Sequence, residues 1–98
     1  MAIYFLTYHC QPNLEFDNSD DIGGAYVNCW IKAIDIEDAD EIAGDIIKKK
    51  SWFILTLEDK YEVNEIDYSE NSKGKEYYNQ AIIDGTVLVF HTYPLDEG

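Results

Sequence analysis

At 98 residues the chain suffices for one domain around one core, and a hydrophobic share of 46% with 14% aromatics excludes a disordered tether. Twenty acids stand against seven lysines and no arginine, a net charge of −13. That balance disfavours nucleic acid and anionic membranes, which need cations and above all the bidentate guanidinium, and favours partners with basic surfaces.

In chain order, Ile3–His9 is short and rich in β-formers, and predicts a first strand. Cys10–Ile22 follows as a polar connection of about a dozen residues, long enough for a mobile flap or a crossing of the sheet. Its acids Glu15, Asp17, Asp20 and Asp21 lack the spacing of a calcium loop. Gly23-Gly24 opens a second strand, Ala25–Asp35, with a clean alternation. Ala25, Val27, Cys29, Ile31 and Ala33 share one side, as expected beneath packed helices, and Tyr26, Asn28, Trp30 and Lys32 share the other, as expected of a half-wet face.

Asp35 or Asp38 caps the next helix, whose apolar stripe is Ala39, Ile42, Ala43, Ile46 and Ile47. Acids at its start and Lys48–Lys50 at its end complement the helix dipole, so the lysine triplet reads as a helix end and not as a basic patch. Ser51–Lys60 predicts a third strand with Phe53, Leu55 and Leu57 on one side and Trp52, Ile54, Thr56 and Glu58 on the other. Tyr61–Tyr68 reads as an extension or loop, and Asp67 or Ser69 starts a second helix that runs to about Ile83. Asp84-Gly85 stops it, Gly85 fitting the left-handed position past a helix end. Thr86–Tyr93 is then a last strand, ending at Pro94. Its core, Val87-Leu88-Val89-Phe90, is apolar at every position and predicts cover on both faces, hence a central strand or an interface.

The elements predict an α+β fold, a two-layer sandwich in ββαβαβ order. Two right-handed parallel crossovers would place both helices on one face of a four-stranded sheet, as in a ferredoxin-like relative. The other face would carry Tyr26 and Trp30 in the open, and a sheet-to-sheet homodimer is the simplest way to cover it.

For chemistry the residues offer little. No apolar run approaches the length of a membrane span, and MAIYFLTY has neither the basic start nor the cleavage site of a secretion signal. A cytoplasmic, reducing setting is expected, with Cys10 and Cys29 as small buried hydrophobes. Neither cysteine sits in a nucleophile or CxxC pattern, and phosphate-loop, dinucleotide and serine-hydrolase signatures are absent. His9 and His91 lie near strand ends and meet only if the first and last strands run parallel. No metal or other cofactor is expected, and catalysis is the minority reading. Tyr26, Trp30, Trp52 and Tyr93 are the candidate binding set, because indole and phenol bury much surface at small rotamer cost. His9 and His91 are the candidate polar groups should a pocket exist.

The pattern GGAYVNCWIKAID at 23–35, the helix leading to Trp52, LEDK at 57–60 and EYYNQAIIDGTVLVFHTYP at 76–94 resembles a family of small bacterial proteins of unknown function. The resemblance covers most of the chain outside Cys10–Ile22 and implies no catalytic residue. The function expected is a non-catalytic, self-associating interaction protein with a basic protein partner. Two alternatives stand beside it: a small-molecule binder or enzyme of the dimeric α+β barrel type, and, by analogy of size and charge, an immunity protein or inhibitor covering a basic site.

Overall fold

Four strands form one antiparallel sheet in the computed structural model, which describes residues 1–12, 22–68 and 72–94. They are β1 (Ala2–Pro12), β2 (Ile22–Ala33), β3 (Trp52–Val63) and β4 (Thr86–Pro94), in the order β3-β1-β2-β4. Helix α1 (Ile36–Lys49) joins β2 to β3, and a 3-10 turn at Glu65–Asp67 precedes helix α2 (Lys73–Asp84), which leads into β4. The expectations for the acids at 13–21, the Ser69 cap and the tail at 95–98 lie outside the described residues.

Local chemistry sets the helix ends. The Asp35 carboxylate accepts from the Asp38 amide at 2.7 Å and caps α1, while Ser72 accepts from the Lys75 amide at 3.1 Å and caps α2. Gly85 stands at φ 88° past α2, the left-handed region that a Cβ penalises.

The expected two-layer ferredoxin-like sandwich is overturned. Both β1–β2 and β1–β3 are antiparallel, so β2 and β3 run the same way but are held apart by β1. Among the described residues no two neighbouring strands are parallel. The helices lie on opposite faces. Under α1, Ala25, Val27, Cys29, Ile31 and Ala33 are fully buried with Leu6, Tyr8, Cys10, Ala39, Ala43 and Ile47. Under α2, Ile3, Trp30, Val63 and Ala81 form a second core with Phe5, Tyr68, Tyr77, Val87 and Val89 packed around it. The reason is area: the second face carries an indole and several branched or aromatic side chains, and leaving them wet forfeits about 25 cal/mol for each Å².

β4 is corrected as well. It is an edge strand, not a central one; its apolar run is covered on one face by α2 and packs on the other against the α1 core through Leu88 and Phe90. Strand β3 departs from simple alternation. Its pairing with β1 slips between Thr7 and Tyr8 and again between His9 and Cys10, so Trp52, Ile54 and Leu57 all turn toward α1 while Phe53 and Leu55 are half exposed. No helix among the described residues is long and apolar enough to cross a membrane.

Candidate histidine and tyrosine site on the open half-sheet

Each strand of the α2 face changes character halfway along. On β1 the inward series runs Ile3, Phe5, Thr7, His9; on β2, paired antiparallel, it runs Trp30, Asn28, Tyr26; on β4 it runs Val87, Val89, His91, Tyr93. The apolar members sit under α2. The polar members line up beyond it across the strands, Thr7 with Asn28, whose β4 partner is the apolar Val89, then His9 with Tyr26 and His91.

These side chains engage one another. The His9 and Tyr26 rings stack with centroids 4.5 Å apart and planes 12° from parallel. His9 Nε2 lies 2.6 Å from the Tyr93 hydroxyl, a hydrogen bond whose donor is set by the imidazole tautomer. The Tyr26 and Tyr93 ring centroids are 6.0 Å apart. Beside them the Thr7 hydroxyl donates to Asn28 Oδ1 at 3.0 Å. Tyr93 reaches His9 across β2 because Gly24, its register partner, has no side chain to block it. Tyr26 remains 42% exposed, and His91 across from it is exposed too. Strand β3 adds an acidic border: Asp59 faces Thr7, Thr56 faces His9, and the Thr56 hydroxyl donates to Glu58 Oε2 at 2.8 Å.

The structure divides the four aromatic candidates. Tyr26 and Tyr93 meet at this site. Trp30 is only 5% exposed, its ring 4.8 Å from that of Tyr77 and its indole N–H donating to the Tyr68 hydroxyl at 2.9 Å. Trp52 lies on the α1 face against Phe90, with centroids 5.6 Å apart. His9 and His91 do share one row, since β1 and β4 are both antiparallel to β2 and therefore parallel to each other, but Tyr26 stands between them. Two strand spacings put their backbones about 10 Å apart, too far to share one small ligand atom. Sequence reasoning did not foresee the Tyr93–His9 bond or the places of Thr7, Asn28 and Asp59; the strand-wise change from apolar to polar was the available signal.

The remaining reactive groups are sequestered. Cys10 and Cys29 are free and fully buried. Burial pushes the Cys10 thiol up to about 11 and the Cys29 thiol up further, so neither is a thiolate at neutral pH. Cys29 pairs with Leu6, four residues along β1 from Cys10, about 13 Å away and beyond the reach of a disulfide. Tyr8 spans from β1 to α1, its hydroxyl donating to the Asp40 carboxylate at 2.5 Å; burial first and this bond second raise its pKa. Among the described residues no group of three or more His, Cys, Asp or Glu is arranged to hold a metal ion. A groove of about 260 Å³ beside Gly44, rimmed by Glu37, Asp40, Glu41 and Asp45, lies over α1 and apart from the aromatic site.

Comparison with known proteins finds no matching family model, no matching curated protein and no matching solved structure.

Proposed function

We propose that the protein is a non-catalytic binding module whose open half-sheet receives a lysine- or arginine-bearing segment of a basic protein. The observation that supports this reading is the pair of phenol rings, Tyr26 and Tyr93, braced by His9, with Glu58 and Asp59 on β3, the strand on the far side of β1 from Tyr26. Aromatic faces attract ammonium and guanidinium groups by about 0.5–2 kcal/mol each, more as water is excluded, and the carboxylate border adds a counter-charge. A net charge of −13 steers a basic partner toward the molecule and makes the encounter salt-sensitive. Face-to-face stacking of two sheets is a weaker reading, because α2 lies across half of the face that would have to be shared.

A titration of the isotope-labelled protein with a lysine- and arginine-rich peptide, followed by NMR at low and high salt, tests the reading. Shifts concentrated at His9, Tyr26, His91 and Tyr93, weakened severalfold by salt and by Tyr26→Ala, are expected. Shifts scattered over all the carboxylates, or confined to the acidic side of α1, would show general ion attraction and end the proposal.

A further inference from the structure

The two edges of the sheet are treated differently by the sequence. β3 is charged at Glu58, Asp59, Lys60 and Glu62 and twice slipped in register, features that discourage another strand from pairing with it. β4 holds a single register with β2 from Ile31–Thr86 to Gly24–Tyr93 and has no charged residue in Thr86–Pro94. In a chain with 28% charged residues that absence stands out.

The free groups on this edge follow from the ladder. The Lys32 amide donates to the Gly85 carbonyl at 2.8 Å, while the Gly85 amide caps α2 at the Ala81 carbonyl, so that pair sits at a hydrogen-bonded position of the ladder. Antiparallel pairing alternates every two residues, so Val87, Val89 and His91 turn their N–H and C=O toward β2, and Leu88, Phe90 and Thr92 turn theirs outward. Among the described residues no strand pairs with that outward row.

We propose that the β4 edge pairs with the β4 edge of a second copy, joining two four-stranded sheets into one of eight strands. Charge selects this occupant. Two molecules of net charge −13 repel wherever their acids meet, and an uncharged strand lets them approach at close range without opposing like charges. A basic partner, by contrast, finds no carboxylate on the strand. Symmetry agrees: an antiparallel pair of identical strands about a twofold axis is self-complementary, and centred on Phe90 it sets Leu88 against Thr92 and Val87 against Tyr93, each on a common face. Val87, Leu88, Val89 and Phe90 are only half-buried and gain cover, and Ile83, 77% exposed, adds apolar surface where α2 enters β4. An interface built on one strand is small, and a dissociation constant on the order of 10–100 µM is expected. The pairing uses the outward backbone groups of β4 and the binding site uses side chains on one of its faces, with Tyr93 common to both, and the two are read by different measurements, so either proposal can fail alone.

Light scattering on a size-exclusion column from about 1 µM to 1 mM, with amide hydrogen exchange measured at both ends, tests the pairing. Dimer formation with concentration, and exchange at Leu88, Phe90 and Thr92 slowed at least tenfold in the concentrated sample, are expected. Thr92→Pro removes an outward N–H and Thr92→Glu adds a charge to the edge; Thr92 is exposed, so both should keep the wild-type circular dichroism while raising the dissociation constant at least tenfold. Glu62→Gln, on the opposite edge, should leave it within twofold of wild type. A wild type that stays monomeric at 1 mM overturns the inference, as does a dimer indifferent to both Thr92 variants, or amides already protected in the dilute monomer because another part of the same chain covers the edge.

Discussion

Gly24→Ala is the sharpest test of the site's geometry. A methyl at this position would stand 2.6 Å from Cζ of Tyr93 and 2.7 Å from the Cys10 carbonyl oxygen, where a relaxed carbon contact needs about 3.5 Å. The phenol can swing aside, but only by breaking its bond to His9. The carbonyl belongs to the β1 backbone and cannot move without spreading two paired strands. Overpacking costs about 1–3 kcal/mol and the lost hydrogen bond about 1 kcal/mol more. A total near 2–4 kcal/mol is a large part of the roughly 5–15 kcal/mol that holds a domain folded, and lowers Tm by about 10–20 °C. Urea titrations of Gly24→Ala, Tyr93→Ala and the double variant separate the two clashes. Removing the ring relieves its share, so the double variant should be about 1–2 kcal/mol more stable than the sum of the single effects, while the carbonyl share persists. Additivity within about 0.5 kcal/mol would place the phenol somewhere other than over Gly24 and remove the brace from the proposed site.

Two helix glycines should respond with opposite signs. At Gly44 a methyl meets only Ile54 Cδ1 at 3.8 Å, so Gly44→Ala should raise stability by about 0.5–1 kcal/mol; at Gly74 it falls 2.6 Å from the Tyr68 ring, so Gly74→Ala should lower it, and chemical denaturation of both compares them directly. Tyr68→Phe leaves the Trp30 indole N–H buried without its acceptor, at a cost of about 1–3 kcal/mol read from the denaturation midpoint, and a loss under 0.5 kcal/mol would mean that bond is absent. Stability should also fall in alkali: burial raises the Cys10 thiol to about 11 from an ordinary 9, so the unfolded chain sheds this proton first and unfolding gains as pH climbs from 9 to 11. Cys29 and Tyr8, both raised, act in the same sense, and Cys10→Ser should flatten part of the slope of a urea midpoint plotted against pH.

Element identity was readable because each signal is local. The Asp35 cap, the α1 stripe, the left-handed Gly85 and the small-residue side of β2 depend on neighbours a few residues away. Which face each helix covers is not local. Alternation states which side chains of β2 share a side, yet Trp30 beneath α2 and Trp30 in open water give the same alternation. The two register slips of β3 were hidden for a similar reason: an inserted residue shows only against the partner strand, and the run from Trp52 to Leu57 is apolar enough to fit either phase. Uniform hydrophobicity in β4 pointed to a central strand because cover on both faces usually comes with pairing on both edges, and here the helices supply the first without the second.

The open half of the sheet was nonetheless written in the chain as a gradient. Reading alternate residues, β1 passes from Ile3 and Phe5 to Thr7 and His9, β4 from Val87 and Val89 to His91 and Tyr93, while β2 runs from Tyr26 through Asn28 to Trp30 in the reverse sense. A common border between apolar and polar halves exists only if β1 and β4 point the same way and β2 opposes both, which is the arrangement found. Length explains why there is a border at all. Twelve helical residues span about 18 Å, whereas strands of eleven or twelve residues run about 36–40 Å, so α2 cannot shield the α2 face from end to end. Composition follows that limit: branched and indole side chains stop where the helix stops, and the imidazole, amide and phenol groups beyond it are ones that gain from water or a polar guest. Exposed Tyr26 and half-buried Tyr93 therefore carry a stacked and hydrogen-bonded order of their own with His9 beyond the end of α2.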